Sequence, residues 1–199
     1  MYKMKKQYLL PGILAAMLLC GCTGKDAAKN PEPEAKTEES VAPENEENTA
    51  SEAVAFEGQD LDGNTISQDI CAESKLTMIN VWATYCNPCL KEMPELGELA
   101  QEYDKADFQL IGIVSDVVES QDEDAEEAAA YAAELVEKTG ASYPHMLLNE
   151  SLYLGLLADV SAVPTTFFLN EEGEILDVVV GAMDKTHWKE KIDGLLKDL

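Results

Sequence analysis

Residues 82–89 read Trp-Ala-Thr-Tyr-Cys-Asn-Pro-Cys, and they stand where a predicted strand is followed by a predicted helix. Residues 76–81 before them are apolar or β-branched apart from one asparagine, which is typical of a buried strand, and residues 90–103 after them have a helical pattern. The sequence therefore predicts a Cys-x-x-Cys pair at the N-terminus of a helix.

This position gives the two cysteines different expected roles. The free N–H groups and the positive end of a helix dipole stabilise a thiolate, so we expect Cys86 to have a lowered pKa and to be the attacking sulfur. Cys89 follows one turn into the helix, where it can resolve the mixed disulfide that Cys86 forms. Pro88 has no N–H to lose there and stiffens the turn between the sulfurs.

A structural zinc site is the main alternative for such a pair, and it would need four nitrogen or sulfur ligands. The chain has no second Cys-x-x-Cys, and its two histidines, His145 and His187, fit neither a ligand set nor a catalytic triad. We therefore expect no metal and no cofactor beyond a redox-active disulfide of Cys86 and Cys89. Both histidines are interpreted as structural or surface residues.

Two motifs carry a resemblance to a known family. Residues 82–96, from the cysteine motif through Leu-Lys-Glu-Met-Pro-Glu-Leu, and residues 163–167, Val-Pro-Thr-Thr-Phe, closely resemble the TlpA/ResA-like branch of extracytoplasmic thioredoxin-fold proteins. The resemblance extends from about residue 56 to the C-terminus. It implies an α/β thioredoxin-like fold, with a central mixed β-sheet flanked by helices, an N-terminal β-hairpin and a strand-helix insertion formed by residues 108–114 and 122–139.

The local patterns between these motifs agree with that fold. Asp62-Gly63 is a strong turn signal and predicts the opening hairpin, and Gly140 predicts the end of an alanine-rich helix. Asn149 or Ser151 is expected to cap a short helix. Further strands and helices are predicted at residues 76–81, 90–103, 108–114, 122–139, 143–148, 151–158, 165–169, 175–180 and 185–199.

The resemblance also assigns a role to the second motif. It implies that the Val163–Pro164 peptide bond is cis and packs beside the cysteines. The Val163 backbone would then offer hydrogen bonds to an extended substrate segment, and Pro164 would keep metal ions away from the sulfurs. The alternative is an ordinary trans proline that starts a strand.

The sequence offers more than one candidate for the group that transfers the proton. Asn80 stands six residues before Cys86, where cytosolic thioredoxins carry a buried acid. Proton transfer must then rely on water or on another acid. The resemblance implies an acid after the strand at residues 108–114, which is Asp116 or Glu119, and a solvated loop acid is an equally good interpretation of either one.

Four more residues of the motif are expected to support the site. Trp82 and Tyr85 are interpreted as its walls, with Trp82 also partly in the core, and Asn87 and Pro88 form the turn between the sulfurs. Cys71 is interpreted as a buried free cysteine, against the alternative of a regulatory or intermolecular thiol.

The N-terminal residues have the pattern of an export signal. Three lysines precede an apolar run at residues 8–19, which is too short to span a bilayer but suits a signal peptide. Leu-Cys-Gly-Cys at residues 19–22 resembles a bacterial lipobox, so we expect residues 1–21 to be removed and Cys22 to be lipidated. An ordinary secretory signal and a soluble product is the alternative.

The next segment differs in composition from the rest of the chain. Residues 22–54 are rich in acidic residues and prolines and poor in large apolar side chains, so they are predicted to be a disordered tether. Residues 55–199 form the predicted thioredoxin-like domain. The net charge of −25 at pH 7 argues against nucleic acid or anionic lipid headgroups as partners.

These features together predict a membrane-anchored thiol-disulfide oxidoreductase on the outer face of the bacterial cytoplasmic membrane, most simply a monomeric protein disulfide reductase. The resemblance implies regeneration by a CcdA-like or DsbD-like membrane protein. It also implies exported clients such as apocytochromes c or methionine sulfoxide reductases.

Two alternatives remain open on the sequence alone. The first is a disulfide-forming oxidase, because the dipeptide between the cysteines does not fix the reduction potential. The second is a lipoprotein that uses the fold only for binding, although such a protein would have no need of both cysteines.

Overall fold

The structure, a computed structural model, describes residues 53–199. The predicted signal peptide, the lipidation site Cys22 and nearly all of the predicted tether lie outside the described residues. Within residues 53–199, no helix is both long and apolar enough to cross a membrane.

The described chain begins with the predicted hairpin. Strands β1 (Glu57–Gln59) and β2 (Thr65–Ser67) are antiparallel. The carboxylate of Asp60 accepts hydrogen bonds from the backbone N–H groups of Asp62 and Asn64 at 3.0 and 2.7 Å, which holds the connecting turn together. A short 3₁₀ helix that the sequence patterns did not predict follows at Gln68–Glu73.

The central sheet has five strands in the order β5-β4-β3-β6-β7. They are β3 (Leu76–Trp82), β4 (Phe108–Val118), β5 (His145–Leu148), β6 (Thr165–Leu169) and β7 (Ile175–Val180). Strands β3, β4 and β5 are parallel, and β6 is antiparallel to both β3 and β7. The sheet is therefore mixed, as predicted. Strand β4 lies inside it, between β3 and β5, and runs four residues beyond its predicted end at residue 114.

Four helices accompany the sheet. They are α1 (Asn87–Glu102), α2 (Glu123–Thr139), α3 (Glu150–Leu152), which continues as a π-helical turn at Tyr153–Leu157, and α4 (Lys185–Asp198). Gly140 ends α2 with φ of 70°, a left-handed conformation that glycine adopts without steric cost. Asn149 caps α3 by accepting a hydrogen bond from the Leu152 N–H at 2.9 Å.

The core consists of two apolar clusters, one on each face of the sheet. Strand β3 contributes to both, because its side chains alternate: Leu76 and Met78 pack with α1, α2 and α4, whereas Ile79 and Val81 pack with the hairpin and α3. All seven residues of β3 are buried. Apolar clusters thus pack on both faces of the strand that leads into the cysteine motif, and this packing fixes the position of the motif at the end of the strand.

Candidate active site

Cys86 and Cys89 are joined by a disulfide at the N-terminus of α1. Cys86 is the N-cap residue, and its Sγ accepts a hydrogen bond from the backbone N–H of Cys89 at 3.3 Å. Cys86 is 5% exposed and Cys89 is fully buried. The sulfur at the helix end is therefore the one that a partner can approach, and the helix N-terminus can stabilise it as a thiolate.

A hydrogen-bonded turn fixes the backbone just before Cys86. The Cys86 N–H donates to the Ala83 carbonyl at 3.0 Å. The carboxylate of Asp116, near the end of β4, accepts hydrogen bonds from the Thr84 N–H at 3.0 Å and the Thr84 hydroxyl at 2.5 Å. Of the two acids considered from the sequence, Asp116 is thus the one hydrogen-bonded to the cysteine loop.

Glu119 has different neighbours. Its carboxylate accepts hydrogen bonds from the Gln59 N–H at 3.1 Å and from the Asn149 side-chain amide at 2.8 Å. These contacts tie the N-terminal hairpin to the loop before α3. None of these hydrogen bonds supports the expectation that Glu119 assists the cysteines. The reason is that β4 continues past the cysteine loop, so Glu119 lies beside the hairpin.

The second motif packs against the cysteine pair. The Val163–Pro164 bond is cis, as the resemblance implied, and Pro164 is buried. The Val163 carbonyl oxygen lies 3.6 Å from Cys86 Sγ. The Gly181 N–H donates to the Pro164 carbonyl at 2.8 Å, which anchors this loop to the end of β7.

Trp82 was expected to be a wall of the site and partly in the core, and it lies wholly in the core, in the same apolar cluster as Cys86 and Cys89. It is fully buried, and its indole N–H donates to His145 Nδ1 at 3.1 Å. His145 Nε2 in turn donates to the Ala141 carbonyl at 3.0 Å. Burial lowers the pKa of His145 to about 4, so the ring is neutral and structural.

The exposed rim of the site comes from three motif residues. Tyr85 is 74% exposed, and Asn87 and Pro88 are also exposed. Tyr85 thus forms the predicted wall beside Cys86, whereas the Asn-Pro turn faces solvent between the two sulfurs.

Glu92 is a site residue that the sequence reasoning did not single out. It lies one turn along α1 from Cys89 and is only 3% exposed. Its carboxylate accepts hydrogen bonds from the Met183 N–H at 3.2 Å, the Trp188 indole N–H at 3.3 Å and the Asn80 amide at 3.2 Å. Burial nevertheless raises its pKa to about 7, because these three donors do not compensate fully for lost hydration.

Asn80 connects Glu92 to the central sheet. Its side-chain NH₂ group donates both to Glu92 and to the Thr166 hydroxyl, the latter at 3.1 Å. Its carbonyl oxygen is buried and has no hydrogen-bond partner in the described part of the chain. The position where cytosolic thioredoxins carry an acid therefore holds an amide that contacts an acid from α1.

One feature of the sequence could have indicated that Glu92 is buried. On a helical projection it shares the buried face of α1 with Cys89, Met93 and Leu96, so a charged residue there is unusual. Its three hydrogen-bond donors come from distant parts of the chain, and no local pattern indicates them.

The remaining thiol and histidine lie apart from this arrangement. Cys71 is a free cysteine, 1% exposed, and burial raises its pKa, which fits the predicted inert core residue. His187 is exposed at the start of α4, where its hydrogen bond to Asp184 raises its pKa.

The arrangement contains what dithiol-disulfide exchange needs. It has one accessible sulfur at a helix N-terminus, a buried second sulfur within bonding distance, and a carboxyl group whose pKa of about 7 allows it to gain or lose a proton near neutral pH.

Comparison with known proteins agrees with this chemistry. Residues 49–178 match the AhpC/TSA family. The chain is 31% identical over 132 residues to the thiol-disulfide oxidoreductase ResA of Halalkalibacterium halodurans, covering 66% of this chain and 68% of that protein. It is 25% identical over 197 residues to ResA of Bacillus cereus, covering 98% and 99%.

A solved structure supports the fold. The thiol:disulfide interchange protein of Chlorobium tepidum superposes with a TM-score of 0.58 at 22% identity, covering 72% of this chain and 94% of that one. At this identity the likeness concerns the fold alone.

Proposed function

Because the chain belongs to the AhpC/TSA family and is a ResA-like thiol-disulfide oxidoreductase, we propose that it works as a protein disulfide reductase, held by a lipidated Cys22 at the outer face of the cytoplasmic membrane. The observation that carries the proposal is the pairing of an accessible Cys86 at the N-terminus of α1 with a buried Cys89 and a buried Glu92.

The proposed reaction has two steps. The Cys86 thiolate attacks one sulfur of a client disulfide, which forms a mixed disulfide and releases the other client sulfur as a thiolate. Cys89 then loses its proton and attacks Cys86 Sγ. This closes the Cys86–Cys89 disulfide, releases the second client thiolate and leaves the client reduced by two electrons.

Glu92 is proposed to accept the Cys89 proton in the second step. Cys89 is fully buried, so bulk water has little access to its thiol. Glu92 is the acid that follows it on the buried face of α1, and its pKa of about 7 matches a base that works near neutral pH. Asn80 and the Trp188 indole hold its carboxylate in place.

The cellular setting is proposed from the resemblance and from the N-terminal sequence. Clients are exported proteins with disulfides, such as apocytochromes c or methionine sulfoxide reductases, and a CcdA-like or DsbD-like membrane protein would return the electrons. The acidic chain would reach the bilayer through its lipid anchor and not through its charge.

A redox titration against glutathione or dithiothreitol tests the direction. A reductase should have a reduction potential near that of thioredoxin, about −270 mV, whereas a value near about −120 mV would indicate a disulfide-forming oxidase. Reduction of insulin disulfides in the presence of dithiothreitol, with Cys86→Ser as the control, tests catalysis itself. A folded protein without this activity would favour a binding lipoprotein.

A further inference from the structure

A groove of about 290 Å³ opens at the surface between α1 and the start of α4. Pro88, Lys91, Glu92 and Glu95 line it from α1, and residues 182–184 line it from the segment that leads into α4. Glu92 therefore borders this opening although only 3% of its surface is exposed. Neither cysteine of the pair lines the groove, so water in the groove meets Glu92 and not the Cys89 thiol.

The two carboxylate oxygens of Glu92 have different surroundings. Oε1 accepts a hydrogen bond from the side-chain amide of Asn80, a fully buried residue of β3. Oε2 accepts a hydrogen bond from the N–H of Met183, which belongs to the wall of the groove. The carboxyl group thus extends from the core to the groove. It can exchange a proton with a buried thiol on one side and with water on the other.

Glu95 lies three residues further along α1 and also contacts the segment before α4. Its carboxylate accepts a hydrogen bond from the N–H of Lys185, the first residue of α4. Glu92 and Glu95 therefore hold residues 183–185 together, and this arrangement keeps Glu92 at the opening. Burial is the main cause of the raised pKa of Glu92, and the negative charge of Glu95 raises this pKa further.

The other charged and titratable groups near Glu92 come from three parts of the fold. Lys91 on α1 and Asp184 before α4 line the groove with opposite charges, so Glu95 supplies the net negative charge of its wall. Tyr143, before β5, is also near, but burial raises the pKa of its hydroxyl, which therefore stays neutral. Glu95 is thus the charge in the wall whose removal should affect Glu92 most directly.

We propose that the groove is the route by which water carries protons to and from Glu92, and that Glu95 is a positioning residue whose charge helps Glu92 to accept the Cys89 proton. The proposal rests on the proposed function, in which Glu92 takes that proton. The proton moves from Cys89 Sγ to the Glu92 carboxylate, and the Cys89 thiolate attacks Cys86 Sγ. The neutral Glu92 then gives the proton to a water molecule in the groove, which restores the carboxylate. When the disulfide is reduced again, a proton passes from water through Glu92 to the Cys89 thiolate.

Two further features suit this route. Neither Tyr85 nor Val163 lines the groove, so a client joined to Cys86 beside these residues can leave the groove open to water. The protonated state of Glu92 also has a partner at hand. The carbonyl oxygen of Asn80 is buried and has no hydrogen-bond partner in the part of the chain that the structure describes, so it can accept the Glu92 O–H once the amide turns.

The experiment follows the Cys89 step in the full-length protein, with Cys20→Ser and Cys22→Ser to remove the two thiols that precede the domain. When the reduced protein reacts with 5,5′-dithiobis(2-nitrobenzoate), Cys86 attacks the reagent and releases one coloured thionitrobenzoate thiolate. Cys89 then attacks Cys86 Sγ and releases the second, at a rate that does not depend on the reagent concentration. The rate constant of this second release should rise with pH through an inflection near pH 7.

Two groove variants should move this inflection in opposite directions. Glu95→Gln keeps an acceptor for the Lys185 N–H but removes the charge, so the inflection should fall by about half a pH unit. Ala182→Phe places a ring at an exposed position of the groove wall. The ring displaces water from beside Glu92 and weakens its hydration, so the inflection should rise by about half a pH unit or more.

Each variant has a matched control. Glu98→Gln removes the same charge one turn further along α1, from a residue that also contacts Lys185 but does not line the groove. Ala130→Phe adds the same ring at an exposed position on α2, away from the groove. Both controls should keep the inflection of the parent protein, because neither changes the surroundings of Glu92.

Other results would overturn the proposal. An inflection that stays at its parent pH in Glu95→Gln or in Ala182→Phe would do so, although the exchange function would stand. Equal shifts in a groove variant and its control would have the same meaning. An unchanged inflection in Glu92→Gln would show that Glu92 is not the proton acceptor, and the proton-transfer step would fail together with this proposal. Release of no second thiolate from the parent protein would refute the exchange function itself.

Discussion

Replacing Glu92 with glutamine removes a buried ionisable group and nearly preserves its shape. The glutamine carbonyl can accept the hydrogen bonds that the Met183 N–H and the Trp188 indole now give to one carboxylate oxygen. Its NH₂ group then faces Asn80, whose carbonyl oxygen has no partner among the described residues and can turn to accept it. The Thr166 hydroxyl can donate to the same oxygen. We therefore expect Glu92→Gln to fold normally.

The effect on stability follows from the pKa of Glu92. This pKa rises from 4.5 to about 7 on folding because the carboxyl group is buried. Below pH 4.5 the group is protonated in both states and has no pH-dependent effect. As the pH rises from 4.5 to 7, the unfolded state loses its proton first, so folding becomes less favourable by about 1.4 kcal/mol per pH unit. Above pH 7 the penalty is constant at about 3 kcal/mol, and glutamine abolishes it.

His145 masks this slope in the wild-type protein. Its pKa falls from 6.5 to about 4 on folding, so the unfolded state binds more protons between these values and stability rises with pH. The two slopes have opposite signs over nearly the same range. The stability of the wild-type protein alone is therefore uninformative, and the difference between Glu92→Gln and wild type isolates the contribution of Glu92.

Urea denaturation of the oxidised proteins across pH 4 to 8 measures this difference. In the oxidised state Cys86 and Cys89 do not titrate, and the buried Cys71 has a raised pKa, so no thiol interferes in this range. We expect the variant to gain up to about 3 kcal/mol over wild type above pH 7, and to gain nothing below pH 4.5. A difference that does not vary with pH would refute the assignment of a raised pKa to Glu92.

The same variant tests the proton-transfer role. In single-turnover experiments, release of the client by Cys89 should accelerate through pH 7 in wild type, as Glu92 loses its proton and becomes a base. In Glu92→Gln this step should be slower by about a hundredfold and should lack that inflection. An unchanged inflection in the variant would mean that another group accepts the Cys89 proton.

Three further predictions concern the other parts of the site. Cys86→Ser should abolish exchange, whereas Cys89→Ser should accumulate mixed disulfides visible on non-reducing gels; accumulation in Cys86→Ser alone would reverse the assignment of the nucleophile. Cys22→Ala should move the protein from the membrane to the soluble fraction, and residues 53–199 alone should keep full activity; lost activity would mean that the preceding residues contribute to the site. Asp116→Ala removes the two carboxylate oxygens that accept hydrogen bonds from Thr84 and should slow attack on a small disulfide about tenfold, with Asp116→Asn losing less; equal losses would show that the hydrogen bonds do not position the loop.

Much of the fold followed from local patterns. The Asp-Gly turn predicted the hairpin, the β-branched run before the cysteines predicted β3, and Gly140 predicted the end of α2. In each case one short stretch carries the physical cause, either a turn residue or a strand buried on both faces. The cysteine pair at the start of α1 was predictable for the same reason, since the motif and the helix are adjacent in sequence.

The parts that sequence reasoning missed depend on contacts between distant segments. Asp116 and Glu119 are three residues apart and equally plausible as site acids, yet the extension of β4 brings Asp116 to the cysteine loop and Glu119 to the hairpin. Trp82 was predicted to lie partly in the core, but its hydrogen bond to His145 and its complete burial were not. Neither outcome could be inferred without the register of β4 against its neighbours.

Glu92 shows how far the site extends along the chain. Its carboxylate is held by Asn80 from β3, by Met183 from the loop after β7 and by Trp188 from α4. The two C-terminal donors are more than ninety residues from Glu92, so the C-terminal helix has a direct effect on the acid one turn from Cys89. An amide at position 80 fits this arrangement better than a second acid would, because two buried carboxylates in contact would repel each other and one of them would have a strongly raised pKa. Under the proposed mechanism the proton acceptor lies on the helix after the cysteines and not on the strand before them, and α4 supports it through the Trp188 indole although α4 carries neither reacting sulfur.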